Sequence, residues 1–506
     1  MSMETLQQIA ETNSWGSIYP ELILGVLALA LLALEVILPK FAHGLIPRIA
    51  IVGQIVVLGY ILFIDPVGCC RGEFFGGMLS LGPTGQAFRV FFLVASIFVS
   101  YLGMVSLANK TLPRIEFFHI TLVITASLML LAQANHFVML FVALETATVG
   151  FYVLVSYFRN SALSLEAGLK YLIMGALSSS ILLFGIVLLY GAASNPALAG
   201  SSADSLNFAN LKAFLEANPT DKMALIGMLL VISGVAFKIG AFPFQIWIPD
   251  VYQGAPIPTT AFLAIASKAA GFAMLINLVN VFGPLGDWLV PLLTGIAMLT
   301  ILFGNFGALT QRNVKRLIGL SGVSHAGFLL IGVVASLTVD LALTAILFYL
   351  FAYLLASMAV FGVMVHMPKE DETNLTLDDF ADLSKKNGFL GMVLAIGVGS
   401  LAGIPPLAGF IGKLLIFVAA LEAELYSLLA VAIIGVVVSI YYYFGWLKYA
   451  FFEIWKFQDE EEEAKDEPLP GSTLGILGKF TLLIAIIGTA LLGFYQSPIG
   501  SWLAGG

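Results

Sequence analysis

Five charged side chains lie inside long apolar segments of this 506-residue sequence, where few charges occur. They are one glutamate and four lysines: Glu145, Lys170, Lys238, Lys268 and Lys413. A charge at the centre of a bilayer costs about 2.5–3.5 kcal/mol on insertion scales, so the set costs on the order of 10 kcal/mol, comparable to the net stability of a domain. Lysine and glutamate can exchange protons in a poorly hydrated interior, whereas arginine keeps its proton. These residues therefore predict a charge pathway, with buried structural ion pairs as the alternative.

Other ionisable residues are weaker candidates. His325, in SGVSHAGF, is included because imidazole titrates near neutral pH, although a lone helical histidine is often only hydrogen-bonded. Lys170 follows Glu166 by four residues, so a helix-surface ion pair is the alternative for this lysine. Glu21 and Glu35 lie near the ends of the first apolar segment, where side chains can reach the headgroups, and we predict no relay role for them.

The elements that must hold these residues are membrane-spanning helices. The chain is 59% hydrophobic and only 11% charged, whereas soluble proteins carry about 25% charged residues. A soluble enzyme is therefore excluded, and a net charge of −8 without basic tracts gives no basis for nucleic-acid binding. The adjacent Cys69 and Cys70 cannot supply the spaced ligands of a zinc or iron–sulfur site.

Apolar runs of about 20 residues predict an all-α polytopic membrane protein with about fourteen transmembrane helices. Several connecting loops are only a few residues long, so neighbouring helices should be antiparallel. The predicted spans are 18–38, 46–64, 88–108, 116–132, 136–157, 167–191, 223–247, 258–283, 286–306, 316–336, 341–366, 388–421, 425–449 and 475–496.

The distribution of basic residues predicts the orientation of these helices. Fourteen of the 23 lysines and arginines fall in the odd-numbered loops. The even-numbered loops contain only Arg71, Arg89, Lys212 and Lys222. By the positive-inside rule, the odd loops are cytoplasmic and both termini lie on the outer, periplasmic side.

Two predicted helices are interrupted by proline next to a buried lysine. Lys238 precedes Pro243 in the seventh helix, and Pro405 and Pro406 precede Lys413 in the twelfth. A proline frees a backbone carbonyl one turn earlier, and within a bilayer such a break persists only where protein or water satisfies the backbone. Broken helices at corresponding places in two halves favour inverted repeats with a site at mid-membrane. Because the two helices lie five apart, an odd number, the repeats should have opposite orientations.

The predicted organisation has five parts. Helices 1–3 occupy residues 1–115, the first repeat (helices 4–8) residues 116–283, and the second repeat (helices 9–13) residues 286–449. An acidic cytoplasmic linker follows at 450–474, containing DEEEEAKDE, which we interpret as a solvated segment. The last helix lies in 475–506.

Several motifs together carry a specific resemblance to a known family. They are HFVMLFVALE, SLEAGLKYLIMGALSSSILLFGIVLLYG, FKIGAFPFQIWIPDVYQGAPIPTTAFLAIASKAA, NVKRLIGLSGVSHAGF and SLAGIPPLAGFIGK. These stretches resemble the antiporter-like subunits of proton-pumping NADH–quinone oxidoreductase (respiratory complex I), and among them subunit N. The resemblance covers residues 115–450 and implies fourteen helices, two inverted five-helix repeats and broken helices 7 and 12.

The resemblance implies a proton relay whose members are carried over motif by motif. The implied roles are a charge pair of Glu145 and Lys238 between helices 5 and 7, a modulating Lys170, a central Lys268, His325 on the hydrated path, and a terminal Lys413. Two departures stand out. Gln245 replaces the histidine of many relatives, and an amide side chain does not titrate. The segment GLSGVSHAG replaces the commoner AYSSISHAG and loses a tyrosine and a serine that could order water near His325.

The resemblance also implies what surrounds the chain. No cofactor is expected on the chain itself; FMN, iron–sulfur clusters and quinone are expected in partner subunits. The expected neighbours are the M-type antiporter-like subunit, the small K-type subunit and the lipid bilayer. The length and the acidic linker favour a bacterial inner membrane over an organellar one. The expected function is therefore proton translocation coupled to electron transfer from NADH to quinone in partner subunits.

Two alternatives remain at this point. One is a subunit of an Mrp-type cation/proton antiporter, which would require a cation and would not co-purify with redox subunits. The other is the homologous subunit of a membrane-bound hydrogenase, from which only the partner subunits distinguish this chain. A purely structural scaffold is disfavoured by the charges inside the membrane.

Overall fold

The computed structural model describes residues 13–64, 72–108, 115–367, 371–452 and 474–495, and nearly all of them lie in helices. Each of the fourteen predicted spans corresponds to a helix or to a pair of half-helices. In chain order these are α1 Tyr19–Ile37, α2 Ile46–Phe63, α3 Pro83–Ser106, α4 Ile115–Ala132, α5 Phe137–Val155, α6 Ala162–Ala193, α7a Lys222–Ile239, α7b Ile248–Gly254, α8a Ile257–Phe262, α8b Lys268–Phe282, α9 Gly286–Leu309, α10 Val314–Ala335, α11 Leu341–Val365, α12a Gly388–Ala402, α12b Ala408–Glu422, α13 Tyr426–Phe451 and α14 Ile476–Phe494. The prediction of an all-α polytopic membrane protein is confirmed.

Within the described ranges, twelve uninterrupted helical stretches are long and apolar enough to cross a membrane. This number differs from fourteen for two physical reasons. A 3-10 turn at Gly283–Leu285 joins the eighth and ninth spans into one helical stretch, Ile257–Leu309. The twelfth span is broken into two helices of 15 residues each, and neither half is long enough alone.

A few short elements connect the spans. The sequence did not predict the small antiparallel hairpin of β1 (Gly72–Phe74) and β2 (Leu79–Leu81) between α2 and α3. The loop between α6 and α7a contains a short helix, Phe208–Ala217, and a one-turn helix, Leu383–Lys386, precedes α12a. The acidic segment 459–467 and the two cysteines lie outside the described residues.

The two broken helices end in the same way. α7a ends at Gly240 and α12a at Gly403, both with positive φ (+73° and +83°). Glycine adopts this left-handed conformation without the strain of a Cβ and commonly terminates helices. A proline follows three residues later in each case, at Pro243 and Pro406, and prevents the helix from resuming at once. The division into inverted repeats stays a prediction, which these matching breaks support.

The helices at the centre of the bundle are buried all round. All residues of the membrane-spanning part of α10 are buried, and nearly all of those of α11. By contrast, α1, α2 and α13 have outer faces of exposed aliphatic and aromatic side chains, such as Val26, Val56 and Val437. A helix that is apolar on every side and completely buried is typical of the core of a large membrane bundle. His325 lies in α10, and Lys268 of α8b is buried as well, so neither residue lies on the outer face of the bundle.

Two predictions about charged residues near the outer ends of helices are wrong. Arg89 was expected in an even-numbered loop and Glu21 at the headgroups, but Arg89 lies in α3 and is fully buried. Its Nε and Nη2 donate to the two carboxylate oxygens of Glu21 in α1, at 2.8 and 3.0 Å. Gln133 Nε2 also donates to Glu21, at 2.8 Å. Removing one partner of such a buried pair typically costs about 3–5 kcal/mol, so this contact helps to fasten α1 to α3.

Candidate proton relay

Lys238 and Glu145 lie in one cluster between α5, α6 and α7a. Lys238 is buried in the last turn of α7a, and its Nζ donates to Thr148 Oγ1 at 2.9 Å. Glu145 is half-buried on α5, and its Oε1 accepts a hydrogen bond from Ser179 Oγ of α6 at 2.6 Å. The two charged groups interact through space, but these two described residues form no direct ion pair within 4 Å. Glu145 and Lys238, the predicted pair, thus lie in the same cluster, and Thr148 lies beside them.

The hydroxyl partners of this cluster were not predicted. Thr148 follows Glu145 by three residues, and residues three apart on a helix share a face. This spacing could have identified Thr148 as a neighbour of the carboxylate. Ser179 belongs to a run of three serines in α6, which indicates a polar patch but not which serine contacts Glu145.

Lys170 lies apart from this cluster. Its Nζ is 2.7 Å from Glu166 and 2.7 Å from Asp250 of α7b, and its side chain is 43% exposed. Asp250 also accepts a hydrogen bond from Arg316 of α10 at 2.7 Å. Ser179 is nine residues further along α6, which corresponds to about 13 Å of helix. The i,i+4 ion pair of Lys170 with Glu166 is present. Asp250 and Arg316 extend it to a cluster of four charged residues, which the sequence did not predict.

Lys268 begins α8b, directly after a π-helical turn at Leu263–Ser267. Its side chain is buried, and Nζ donates to the carbonyl oxygen of Gly322 in α10 at 2.5 Å. The ammonium also lies 5.1 Å from the centre of the Tyr353 ring, a cation–π distance. Single π-helical turns are rare and often occur at functional sites. Here the turn immediately precedes the lysine predicted to be central.

His325 is hydrogen-bonded through both ring nitrogens. Nδ1 lies 2.6 Å from Tyr349 Oη of α11, and Nε2 lies 3.1 Å from Tyr443 Oη of α13. A neutral imidazole has one donor and one acceptor nitrogen, so one tyrosine donates to the ring while the other accepts from it. The Tyr353 ring packs against the imidazole, with ring centres 5.0 Å apart. Tyr349 and Tyr353 are four residues apart on one face of α11, a signal that could have indicated them as partners of a buried polar group.

Lys413 binds the backbone exposed by the break in the twelfth helix. Its Nζ donates to the carbonyl oxygens of Leu401 and Ala402, at 3.0 and 2.8 Å. These carbonyls lie in the last turn of α12a, where the helix has ended and cannot supply its usual N–H partners. A cation at a helix C-terminus is also favoured by the helix dipole. The break in helix 12 and the buried lysine therefore stabilise each other.

A small cavity lies between His325 and Lys413, and both side chains line it. Its lining includes Tyr353, which contacts Lys268, and Ser400 at the break of α12. Three of the predicted residues, Lys268, His325 and Lys413, thus lie in one series of adjoining polar groups. They contact one another through tyrosine rings and the cavity rather than directly.

Comparison with known proteins identifies the family of this fold and site. Residues 134–439 match the family described as NADH:quinone oxidoreductase/Mrp antiporter, transmembrane region. The chain is 61% identical over 507 aligned residues to NADH-quinone oxidoreductase subunit N 1 of Opitutus terrae, covering 99% of both chains. A chain of respiratory complex I from Thermus thermophilus is similar in structure, with a TM-score of 0.78, 28% identity and coverage of 96% of this chain and 100% of that one.

The fold alone does not separate the complex I and Mrp alternatives. A chain of the Mrp complex from Dietzia has a TM-score of 0.76 over 97% of both chains, at 18% identity, so only the fold is shared. The high identity to subunit N along nearly the whole chain decides in favour of complex I. The chain therefore belongs to the family of NADH–quinone oxidoreductase subunit N, the antiporter-like membrane-arm subunits of proton-pumping complex I.

Proposed function

We propose that this chain transfers protons across the membrane through a relay formed by Glu145, Lys238, Lys268, His325 and Lys413. The observation that carries the proposal is the series formed by Lys268, Tyr353, His325, the cavity and Lys413. Each ionisable group in this series is buried, and among the described residues its hydrogen-bond partners are all neutral. Because no opposite charge fixes these lysines, a proton can leave one group when the charge of the next one changes.

The Glu145–Lys238 cluster would convert an electrostatic signal into proton movement. Glu145 acts on Lys238 through space, whereas within the described ranges the neutral Thr148 is the one direct hydrogen-bond partner of Lys238. Adding or removing charge near Glu145 therefore changes how strongly Lys238 holds its proton, without a salt bridge that must first be broken. A transferable proton bound at Lys238 would then pass towards Lys268.

Water is expected to link the first cluster to Lys268. Three buried polar atoms between α5 and the α7 break have no hydrogen-bond partner in the part of the chain that the structure covers: Tyr152 Oη, Gln245 Oε1 and Trp247 Nε1. Tyr171 packs against both Tyr152 and Trp247, with ring centres 5.1 and 4.8 Å apart. Buried polar groups without protein partners are generally satisfied by ordered water, so these atoms support a hydrated connection. Gln245 would contribute by binding this water rather than by titrating.

The face around Glu145 is proposed to contact a neighbouring subunit. Glu145 is only half-buried, and the adjacent surface of α5 exposes Val142, Thr146 and Val149. A carboxylate at mid-membrane depth is costly against lipid. We therefore expect a partner of the membrane arm, of the M or K type, to cover this face and to bring polar groups towards Glu145. Charge changes in that partner would be the signal that reaches Lys238.

The redox chemistry is assigned to partner subunits. We propose that FMN, the iron–sulfur clusters and quinone bind there and that this chain binds none of them. The chain would lie in a bacterial inner membrane with its odd-numbered loops in the cytoplasm and both termini outside. The excess of lysine and arginine in the odd-numbered loops supports this orientation. Arg89 lies within α3 and no longer counts among the loop residues, and the excess remains without it.

A pull-down from native membranes in mild detergent tests this function directly. We expect the chain to co-purify with subunits that contain flavin and iron–sulfur clusters and to show NADH-dependent quinone reduction. A redox-silent preparation that exchanges Na⁺ or K⁺ for protons would contradict the proposal and favour a cation/proton antiporter.

Lys170 is expected to contribute less than the buried lysines. Its charge is shared with Glu166, Asp250 and, through Asp250, Arg316, and it is partly exposed, which weakens its effect on distant groups. In Lys170→Met we expect proton pumping to fall by no more than about fivefold, because an exposed charge contributes only about 0.2–1 kcal/mol. Proton uptake by inverted membrane vesicles measures this, with Lys212→Met as an exposed control. A loss of pumping as large as that of Lys238→Met would place Lys170 inside the relay itself.

A further inference from the structure

The Lys268 ammonium has a single hydrogen-bond acceptor in the part of the chain that the structure describes. This acceptor is the carbonyl oxygen of Gly322, in the middle of α10. Lys238 bonds instead to a side-chain hydroxyl, and Lys413 bonds to two carbonyls freed by a helix break. The position of the Lys268 charge thus depends on one backbone atom of an unbroken helix.

Glycine at position 322 also provides the space that the ammonium occupies. A Cβ atom at this position would lie 2.6 Å from Lys268 Nζ and 3.4 Å from Tyr353 Oη. The first distance is too short for any non-bonded contact, so a side chain here and the ammonium in its present place exclude each other. Since Nζ is the end of a flexible side chain, an added methyl group would move the ammonium rather than the helix.

Gly322 is rigidly connected to the next member of the relay. It precedes His325 by three residues, so the two share a face of α10. The Tyr353 ring lies 5.1 Å from Lys268 Nζ and 5.0 Å from the imidazole, and it therefore contacts both. An ammonium held at Gly322 is consequently held at a fixed distance from His325.

We propose that Gly322 is a positioning residue for Lys268. Its carbonyl accepts the hydrogen bond of the ammonium, and its missing side chain leaves the room for the ammonium beside Tyr353 and His325. The proposal rests on the relay function of Lys268 and adds to it the residue that sets where the proton is held. Gly322 is one of the positions at which the segment GLSGVSHAG differs from the commoner AYSSISHAG. This difference in sequence therefore lies next to the Lys268 ammonium.

The test is Gly322→Ala in the assembled complex, reconstituted into proteoliposomes. Because displacement of a catalytic group by about 1 Å can cost about 100-fold in rate, we expect this variant to lose at least about half of the pumping that Lys268→Met loses. NADH-dependent quinone reduction should persist, and the pH profile of pumping should shift because the ammonium has lost its acceptor. The matched control is Gly307→Ala in α9, whose added methyl group has the flexible Leu320 side chain of α10 as its nearest neighbour, at 3.3 Å.

The outcomes separate this proposal from the relay itself. Wild-type pumping and an unshifted pH profile in Gly322→Ala, together with lost pumping in Lys268→Met, would overturn the positioning role alone. Wild-type pumping in Lys268→Met would instead contradict the relay.

A second measurement covers the case in which Gly322→Ala assembles poorly. The melting temperature should fall with Gly322→Ala in the wild-type background and remain unchanged with Gly322→Ala in a Lys268→Leu background. The shorter leucine side chain leaves the space next to Gly322 free. An equal fall in both backgrounds would show that the methyl group collides with something other than Lys268 and would overturn the proposal.

Discussion

Replacing Lys238 with methionine is expected to abolish or strongly reduce proton pumping while the complex still assembles. Methionine fills the volume of the lysine stem and loses the hydrogen bond of the ammonium to Thr148, a contact worth about 1.5–3 kcal/mol. The fold therefore tolerates the change. The transferable proton is lost completely, and removal of an acid–base group costs about 100-fold to 10,000-fold in the step that it serves. Acidification of proteoliposomes during NADH oxidation measures the effect.

Lys222→Met is the matched control for this variant. Lys222 begins the same helix, α7a, but its side chain is exposed at the helix end. This control should pump like the wild type. If Lys238→Met also pumps like the wild type, the charge at position 238 has no role in proton movement.

The second large effect is expected at Lys413, where two functions can be separated. Lys413→Arg keeps a cation that can donate to the Leu401 and Ala402 carbonyls, but arginine does not release its proton. Lys413→Met removes both properties and leaves buried carbonyls without a partner, at about 1–3 kcal/mol each. We expect both variants to lose pumping and only Lys413→Met to melt at a lower temperature. Thermal unfolding and proton pumping of the same preparations check this.

Lys448→Met, an exposed lysine on α13, controls for the loss of a positive charge. It should change neither pumping nor melting. Normal pumping by Lys413→Arg would mean that position 413 only has to supply a positive charge that stabilises the helix break. Lys413 would then not be a member of the proton relay.

The sequence predicted the helices well because hydropathy acts locally. A run of about 20 apolar residues must cross the bilayer whatever lies beside it. The breaks at Gly240 and Gly403 were indicated by prolines nearby, since proline disrupts a helix wherever it occurs. The hairpin at Gly72–Phe74 was missed because three-residue strands carry no detectable alternation.

The partners of the charged residues could not be predicted in the same way. The sequence placed Lys268 deep in a helix, but its contact with Gly322 joins residues 54 positions apart. The ion pair of Arg89 with Glu21 spans 68 positions, and both residues looked like helix-end charges that water could reach. Asp250 is similar, because its bonds to Lys170 and Arg316 depend on how α6, α7b and α10 pack. Such contacts depend on how distant helices pack in the tertiary structure, and this packing cannot be read from a single sequence.

The structure places three of the predicted relay residues, Lys268, His325 and Lys413, near one another, and their roles stay predictions. The structure adds Tyr349, which holds one nitrogen of the imidazole, and the cavity that leads to Lys413. Tyrosines are common in apolar helices, so their number alone did not distinguish the ones that contact His325.

The number of protons pumped per NADH oxidised by complex carrying Lys268→Met tests the relay most directly. Lys268 contacts Tyr353, which lines the cavity of His325 and Lys413, and in the proposed relay it links this cavity to the Glu145–Lys238 cluster. The account predicts that the ratio falls well below that of the wild type while NADH oxidation and assembly continue. A wild-type ratio in the fully assembled variant would contradict proton transfer through this line of residues.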